Sequence, residues 1–160
     1  SLRGGSQTPG VLFGRRDPMI AATRDAIARA VERHVERLPD DATHPFLRRK
    51  STRVRFVGSW SVRLWSTGRH INHFHQEGWL SSAFYVSLPP SVRQPREGDA
   101  SGCIQFGEPP PELGLGLAPR RIIRPRPGQL ALFPSYLWHG TVPFHDDAPR
   151  LTIAFDALPA

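Results

Sequence analysis

The densest run of chemistry-bearing side chains in the sequence is His70-Ile71-Asn72-His73-Phe74-His75, which holds three of the chain's seven histidines. Neutral imidazole is the commonest side-chain ligand for iron, zinc or copper. On an extended strand, side chains two residues apart point to the same face, so His73 and His75 can aim at one metal ion. A third ligand is offered far downstream. There the apolar run Leu130–Phe133 ends in a turn at Pro134 and delivers His139 into an aromatic setting with Tyr136 and Trp138. Farther on, Arg150-Leu151-Thr152-Ile153-Ala154-Phe155 alternates in character. Leu151, Ile153 and Phe155 make a face fit for a core. Arg150 and Thr152 share the other face, where a permanently charged guanidinium beside a hydroxyl makes a clamp for a carboxylate. The order His-x-His, long gap, single His, Arg-x-Thr is far more specific than any one of its parts.

Those residues need elements to hold them. Asp17-Pro18 is a helix start, because Asp caps free N–H groups and Pro suits the first helical position. Ile20, Arg24, Ile27, Val31, Val35 and Leu38 recur at spacings of three and four, Ala21 and Ala28 widen the stripe, and Pro39 ends it. This predicts an amphipathic helix over residues 17–38, laid on the outside of a sheet. From residue 53 helical periodicity gives way to β-formers. Arg53–Val57, Ser59–Ser66, Trp79–Leu88, Cys103–Phe106, Arg120–Ile123, Gln129–Phe133 and Leu151–Ala157 read as strands. Pro89–Ser101 and the Pro- and Gly-rich Gly107–Pro119 read as loops. Short strands with such connections imply an antiparallel sandwich or barrel. The expected organisation is one domain, 1–160, with an extended lead-in over 1–16, the helix over 17–38 and a β core over 53–157.

Composition narrows the class. With 160 residues and 39% apolar content the chain supports one core. Cys103 is the single cysteine, so neither an internal disulfide nor a cysteine-based zinc site is available. The formal charge of +7 is carried almost wholly by arginine, Lys50 being the only lysine. These charges are scattered, and without a zinc finger, an aromatic RNA-binding strand or a continuous basic helix they read as a solvated surface, not a nucleic-acid site. No apolar run is long enough to cross a bilayer, and Ser1–Gly10 lacks a signal pattern. A soluble, cytoplasmic protein is expected, with oligomeric state open.

Taken together, these motifs resemble the 2-oxoglutarate- and Fe(II)-dependent oxygenases. The closest likeness is to a bacterial group that also occurs C-terminal to tetratricopeptide repeats. The likeness rests on Asn72-His73-Phe74-His75-Gln76-Glu77-Gly78-Trp79-Leu80-Ser81-Ser82 running into a Phe84-Tyr85-Val86 strand. It extends to Gln7-Thr8, Leu12-Phe13, His44-Pro45-Phe46 and Ser59-Trp60-Ser61-Val62-Arg63-Leu64. It implies a mainly β fold, a double-stranded β-helix or jelly roll with an N-terminal α-helix packed on it. It also implies Fe(II) as cofactor, 2-oxoglutarate as cosubstrate, and hydroxylation of a small molecule or a protein side chain. In the wider superfamily iron is held by His-x-Asp/Glu and a distant His, and a later Arg-x-Ser/Thr binds the far carboxylate of 2-oxoglutarate. His139, Arg150 and Thr152 match those roles.

The first motif departs from that pattern, and two ligand sets follow. Aligned at His73, the acidic position holds His75, giving the three-His set His73, His75 and His139. Aligned at His75, it holds Glu77, giving His75, Glu77 and His139. The local likeness favours the first. Tyr85 is a candidate donor to the cosubstrate, with packing as its competing role. Asn72 either orients a ligand or caps a turn, and Arg63 either lines the pocket or faces solvent. Trp60, Trp65, Trp79 and Trp138 are expected in core or pocket wall. His70 is expected at the surface, and His34, His44 and His145 are set aside as ligands. Two rival functions remain: a cupin-like three-His metalloenzyme that does not use 2-oxoglutarate, and a non-enzymatic basic interaction module.

Overall fold

Asp17 starts the helix as its side chain requires, its carboxylate accepting from the N–H groups of Met19 at 2.8 Å and Ile20 at 3.3 Å. In the computed structural model, which describes residues 1–160, helix α1 spans Pro18–Arg37. Ile27, Val31 and Val35, spaced by four, are its buried residues and meet Trp79, Leu80, Phe155 and Ala157 in the largest apolar cluster. That contact lays the helix on one face of the main sheet. None of the helices is long and apolar enough to cross a membrane.

The structure has eight strands: β1 (Leu2–Gln7), β2 (Val54–His70), β3 (Leu80–Ser87), β4 (Ile104–Phe106), β5 (Arg121–Ile123), β6 (Leu130–Pro134), β7 (His139–Thr141) and β8 (Arg150–Pro159). They form a five-stranded sheet in the order β1-β2-β8-β3-β6 and a three-stranded sheet in the order β5-β4-β7. Every pairing is antiparallel. The fold is the mainly β jelly roll that the resemblance implied, with the N-terminal helix packed on it.

Three strand expectations are corrected, the first being His139–Thr141, which is not merely the end of a turn but a strand paired with β4. The lead-in is not merely extended: Leu2–Gln7 pairs with β2. Arg53–Val57 and Ser59–Ser66 are not separate strands but one, β2, which runs on to His70. A register shift between Phe56 and Gly58 lets it bend without breaking. Alternation along β8 works as the sequence requires. Ile153, Phe155 and Ala157 pack toward the helix, while Arg150, Thr152 and Ala154 line a cavity on the other face.

Candidate metal centre

The cavity lies between the two sheets and has about 60 Å³ of free space. Trp60, Val62 and Leu64 of β2 and Arg150, Thr152 and Ala154 of β8 form one wall. Ile104 of β4 and His139, Gly140 and Thr141 of β7 form another, and His70, His73 and His75 complete the lining.

His73 and His75 do converge, but not because they share a strand. Both follow the end of β2. His73 is held by a two-way backbone bridge: its N–H donates to the carbonyl of His139 at 3.0 Å, and the N–H of His139 donates back at 2.9 Å. His75 is held by its N–H donating to the Ser135 carbonyl at 2.9 Å. The bridge ties the distant His139 to the first histidine directly. Gly140 permits the close approach, since a Cβ there would lie 2.9 Å from the His70 carbonyl oxygen and collide with the Asn72 side chain.

Each imidazole is oriented by an acceptor on its Nδ1. His73 Nδ1 faces the Ile71 carbonyl at 2.7 Å, and His139 Nδ1 faces the Leu137 carbonyl at 3.0 Å. His75 Nδ1 faces the Asp156 carboxylate at 2.7 and 2.8 Å. A carbonyl or carboxylate oxygen accepts here, so Nδ1 carries a proton in all three rings and Nε2 is the atom turned toward the cluster. The ligand atoms of His73, His75 and His139 lie within 4.8 Å of one another. His73 and His75 Nε2 are 3.0 Å apart. A proton or a cation between two ring nitrogens at that distance relieves the repulsion of their lone pairs. Nitrogens bound side by side to one metal, at about 2.1 Å each, stand roughly 3 Å apart. The residues therefore fit a metal ion.

Electrostatics agree with this. Burial pushes the imidazolium form of His139 down to about 3, with the neighbouring histidines adding to the shift and the Leu137 carbonyl opposing it. Burial, then the His73 and Arg150 charges, takes His70 to about 3 as well. Burial also lowers His73. Burial thus favours the neutral form of His70, His73 and His139, the form in which imidazole binds metal. This carries a stability consequence for the metal-free chain. An unfolded His binds its proton near 6.5, and the folded His139 does so only near 3. Between those values the unfolded state holds more protons, so stability is full above about 6.5 and falls as pH drops toward 3. The slope from His139 approaches about 1.4 kcal/mol per pH unit, and His70 acts in the same direction. Urea unfolding midpoints of the metal-free chain should therefore decline from pH 7.5 to 4.5; a flat profile would contradict the buried neutral histidines.

Arg150 is 3% exposed, and its Nε and Nη1 have no hydrogen-bond partner in the chain. Its guanidinium carbon lies 5.3 Å from the Tyr85 ring centroid, a cation–π contact that offsets only part of the cost of burial. The buried Tyr85 hydroxyl is also unpartnered. Burial raises its pKa, against the opposing Arg150 charge. Thr152 lines the same cavity as Arg150. A buried guanidinium with two free donors has the chemistry to receive an anion.

The other expected residues lie elsewhere. Glu77 is exposed and outside the cluster, so the geometry does not assemble the acidic alternative. Arg63 is exposed, stacked 4.9 Å over Trp65 on the opposite face of β2 from Trp60, Val62 and Leu64. Asn72 does not line the cavity: its Nδ2 donates to Glu108 Oε2 at 3.1 Å and its Oδ1 accepts from Gln105 Nε2 at 3.1 Å. Tyr85 does not line it either, and meets it only through Arg150. His70 is not the surface residue expected but part of the cavity wall. Asp156 escaped the sequence reading, although it continues the Arg150, Thr152, Ala154 alternation by one more step of two.

No curated protein matches the chain in sequence. Among solved structures, HygX from Streptomyces hygroscopicus, with nickel and 2-oxoglutarate bound, is similar at a TM-score of 0.60 and 11% identity, over 99% of this chain and 71% of that one. The viral collagen prolyl hydroxylase vCPH from Paramecium Bursaria Chlorella virus-1, in its 2OG complex, is similar at 0.57 and 13%, over 99% of this chain and 80% of that one. A Pseudomonas putida prolyl-4-hydroxylase is similar at 0.52 and 11%, over 98% of this chain and 71% of that one. These likenesses are in fold. The family model described as "Putative 2OG-Fe(II) oxygenase" matches residues 58–156. That span runs from the bend of β2 to Asp156 and takes in all three clustered histidines with Arg150 and Thr152, and by it the chain belongs to the 2OG-Fe(II) oxygenase family.

Proposed function

We propose that the protein is an Fe(II)- and 2-oxoglutarate-dependent oxygenase that hydroxylates a small molecule or a protein side chain. His73, His75 and His139 hold the metal, and Arg150 with Thr152 receives the far carboxylate of 2-oxoglutarate. The observation that carries this reading is that one cavity contains three converging imidazoles and a buried guanidinium with unpartnered donors. Bound Fe(II) and 2-oxoglutarate supply the oxidising chemistry, in which decarboxylation of the keto acid drives oxidation of the substrate by dioxygen.

The chain's own part is to place and protect. The acceptors on each Nδ1 keep Nε2 directed inward. Val62, Leu64, Ile104 and Phe133 give the cavity an apolar lining that limits water. Arg150 and Thr152, two apart on β8, fix the cosubstrate by its charge. On another side of His75 a larger depression, about 590 Å³, is lined by His44, Phe46, Arg49, Phe74, Trp79 and Tyr136 among others. Its size and its border on His75 support it as the seat of the substrate. A cytoplasmic setting belongs to the same reading, and the unpaired, buried Cys103 suits a reducing compartment.

The test is anaerobic titration with Fe(II), then 2-oxoglutarate, followed by visible absorption. A weak charge-transfer band on adding the keto acid is expected. Iron uptake with no band favours instead a three-His metalloenzyme that does not use 2-oxoglutarate, a reading that the exclusion of Glu77 from the cluster keeps in view. No uptake of iron at all sinks both.

A further inference from the structure

We propose that Asp156 is a positioning residue for the metal centre, holding His75 in the tautomer and orientation that present its Nε2 to the metal. This rests on the metal reading above. Among the three histidines only His75 is oriented by a charged group; the other two use backbone carbonyls. A backbone carbonyl is fixed by the fold, but a carboxylate must itself be held. Asp156 is. Ser81, its cross-strand partner on β3, donates to Oδ1 at 2.7 Å, and the Ser81 and Ser135 hydroxyls are 2.8 Å apart. Ser135 also supplies the carbonyl that anchors the His75 backbone. The arrangement is therefore closed: Ser135 holds the backbone of His75, and Ser81 with Asp156 holds its ring.

Space has been made for this group. Gly78 packs where a Cβ would collide with the Ser135 hydroxyl and approach the Asp156 Cβ at 3.4 Å. Opposite Asp156 on β2 stands Gly58, at the point where the strand's register shifts. An acceptor on Nδ1 fixes the ring of a metal-ligating histidine, and Asp156 gives His75 what the Ile71 and Leu137 carbonyls give His73 and His139.

The test uses Asp156→Asn, Asp156→Ala and Ser81→Ala in the full chain, with two readouts. The first is the His75 tautomer in the metal-free protein, from correlation of the ring nitrogens with the ring protons by NMR. The wild type and Asp156→Asn, whose side-chain oxygen still accepts from Nδ1–H, should both show the Nδ1–H form. Asp156→Ala should show a mixture with Nε2–H. The second is Co(II) affinity. Asp156→Ala should lose about 10- to 100-fold, and Asp156→Asn should recover most of it. If Asp156→Ala fails to fold, Ser81→Ala, which releases only one hydrogen bond to the carboxylate, should still lose affinity and broaden the tautomer signal. Equal Co(II) affinity and an unchanged tautomer in Asp156→Ala overturn the role of Asp156 alone. An Asp156→Asn chain as weak as Asp156→Ala, with its tautomer intact, also overturns it, because charge and not position would then be acting. A wild-type chain that takes up no Co(II) overturns the metal reading itself.

Discussion

Replacing His139 with Ala is expected to abolish metal binding while leaving the fold in place. In the proposed centre the side chain is one of three nitrogen donors, and losing a donor costs more than losing an outer partner, which itself costs about 10- to 100-fold in affinity. A fall of more than about 100-fold in Co(II) affinity should follow, together with loss of 2-oxoglutarate turnover. The fold should survive because the bridge to His73 is made by the His139 backbone, which Ala retains. His139 is 8% exposed and its ring centroid lies 4.6 Å from that of Phe133, so a small cavity will remain. The variant should also lose part of the acid sensitivity of the metal-free chain, since the most deeply neutral ligand is gone. Metal content after purification and a Co(II) titration decide the matter. Retained metal with turnover would remove His139 from the centre and the assignment with it.

Arg150→Met is expected to move two properties in opposite directions. In the metal-free, cosubstrate-free protein the guanidinium is a buried charge with two unpartnered donors and only the Tyr85 ring as counterweight. Replacing buried ion pairs by apolar groups of similar volume gains up to about 1–4 kcal/mol, and a buried charge without an ionic partner should gain at least in the same direction. At about 2–4 °C per kcal/mol for a chain this size, the melting temperature should rise by roughly 2–15 °C. The same change removes two charge-assisted hydrogen bonds to a carboxylate, worth about 1.5–3 kcal/mol each, or roughly 10²- to 10⁴-fold in 2-oxoglutarate affinity. Co(II) affinity measured without 2-oxoglutarate should be unchanged. Thermal unfolding with and without 2-oxoglutarate checks both halves. A destabilised variant that still binds the keto acid would make Arg150 a structural residue.

The parts of this protein that repeat at a fixed period were legible in its sequence. Helix α1 follows from the spacing of Ile27, Val31 and Val35 and the Asp17 cap. The two faces of β8 follow from strict alternation, and so does the pairing of Arg150 with Thr152 in one cavity. The His-x-His motif was legible as a pair but misleading in its reason. The rings meet through a backbone bridge and a turn rather than along a strand, and nothing local announces a hydrogen bond between residues 73 and 139. Leu2–Gln7 was illegible as a strand because its Gly- and Ser-rich run carries no apolar alternation; what orders it is the edge of β2. Weighing His73 against Glu77 needed tertiary structure, since the spacing allows both and only the fold shows Glu77 exposed and outside the cluster. Asp156 could have been found by carrying the alternation of β8 two residues past Ala154.

Strand β8 is the last in sequence yet lies in the middle of the larger sheet, hydrogen-bonded between β2 and β3. During synthesis from the N-terminus, β2 and β3 must wait with unsatisfied edges for a strand made roughly sixty residues after β3 ends. Arg150, Thr152 and Asp156 arrive together on that strand. The histidines, all made earlier, acquire the anion site and the carboxylate behind His75 in a single late event. Closure of the sheet and completion of the proposed centre are thus the same step, and a nascent chain presents no finished site to metal before β8 is in place.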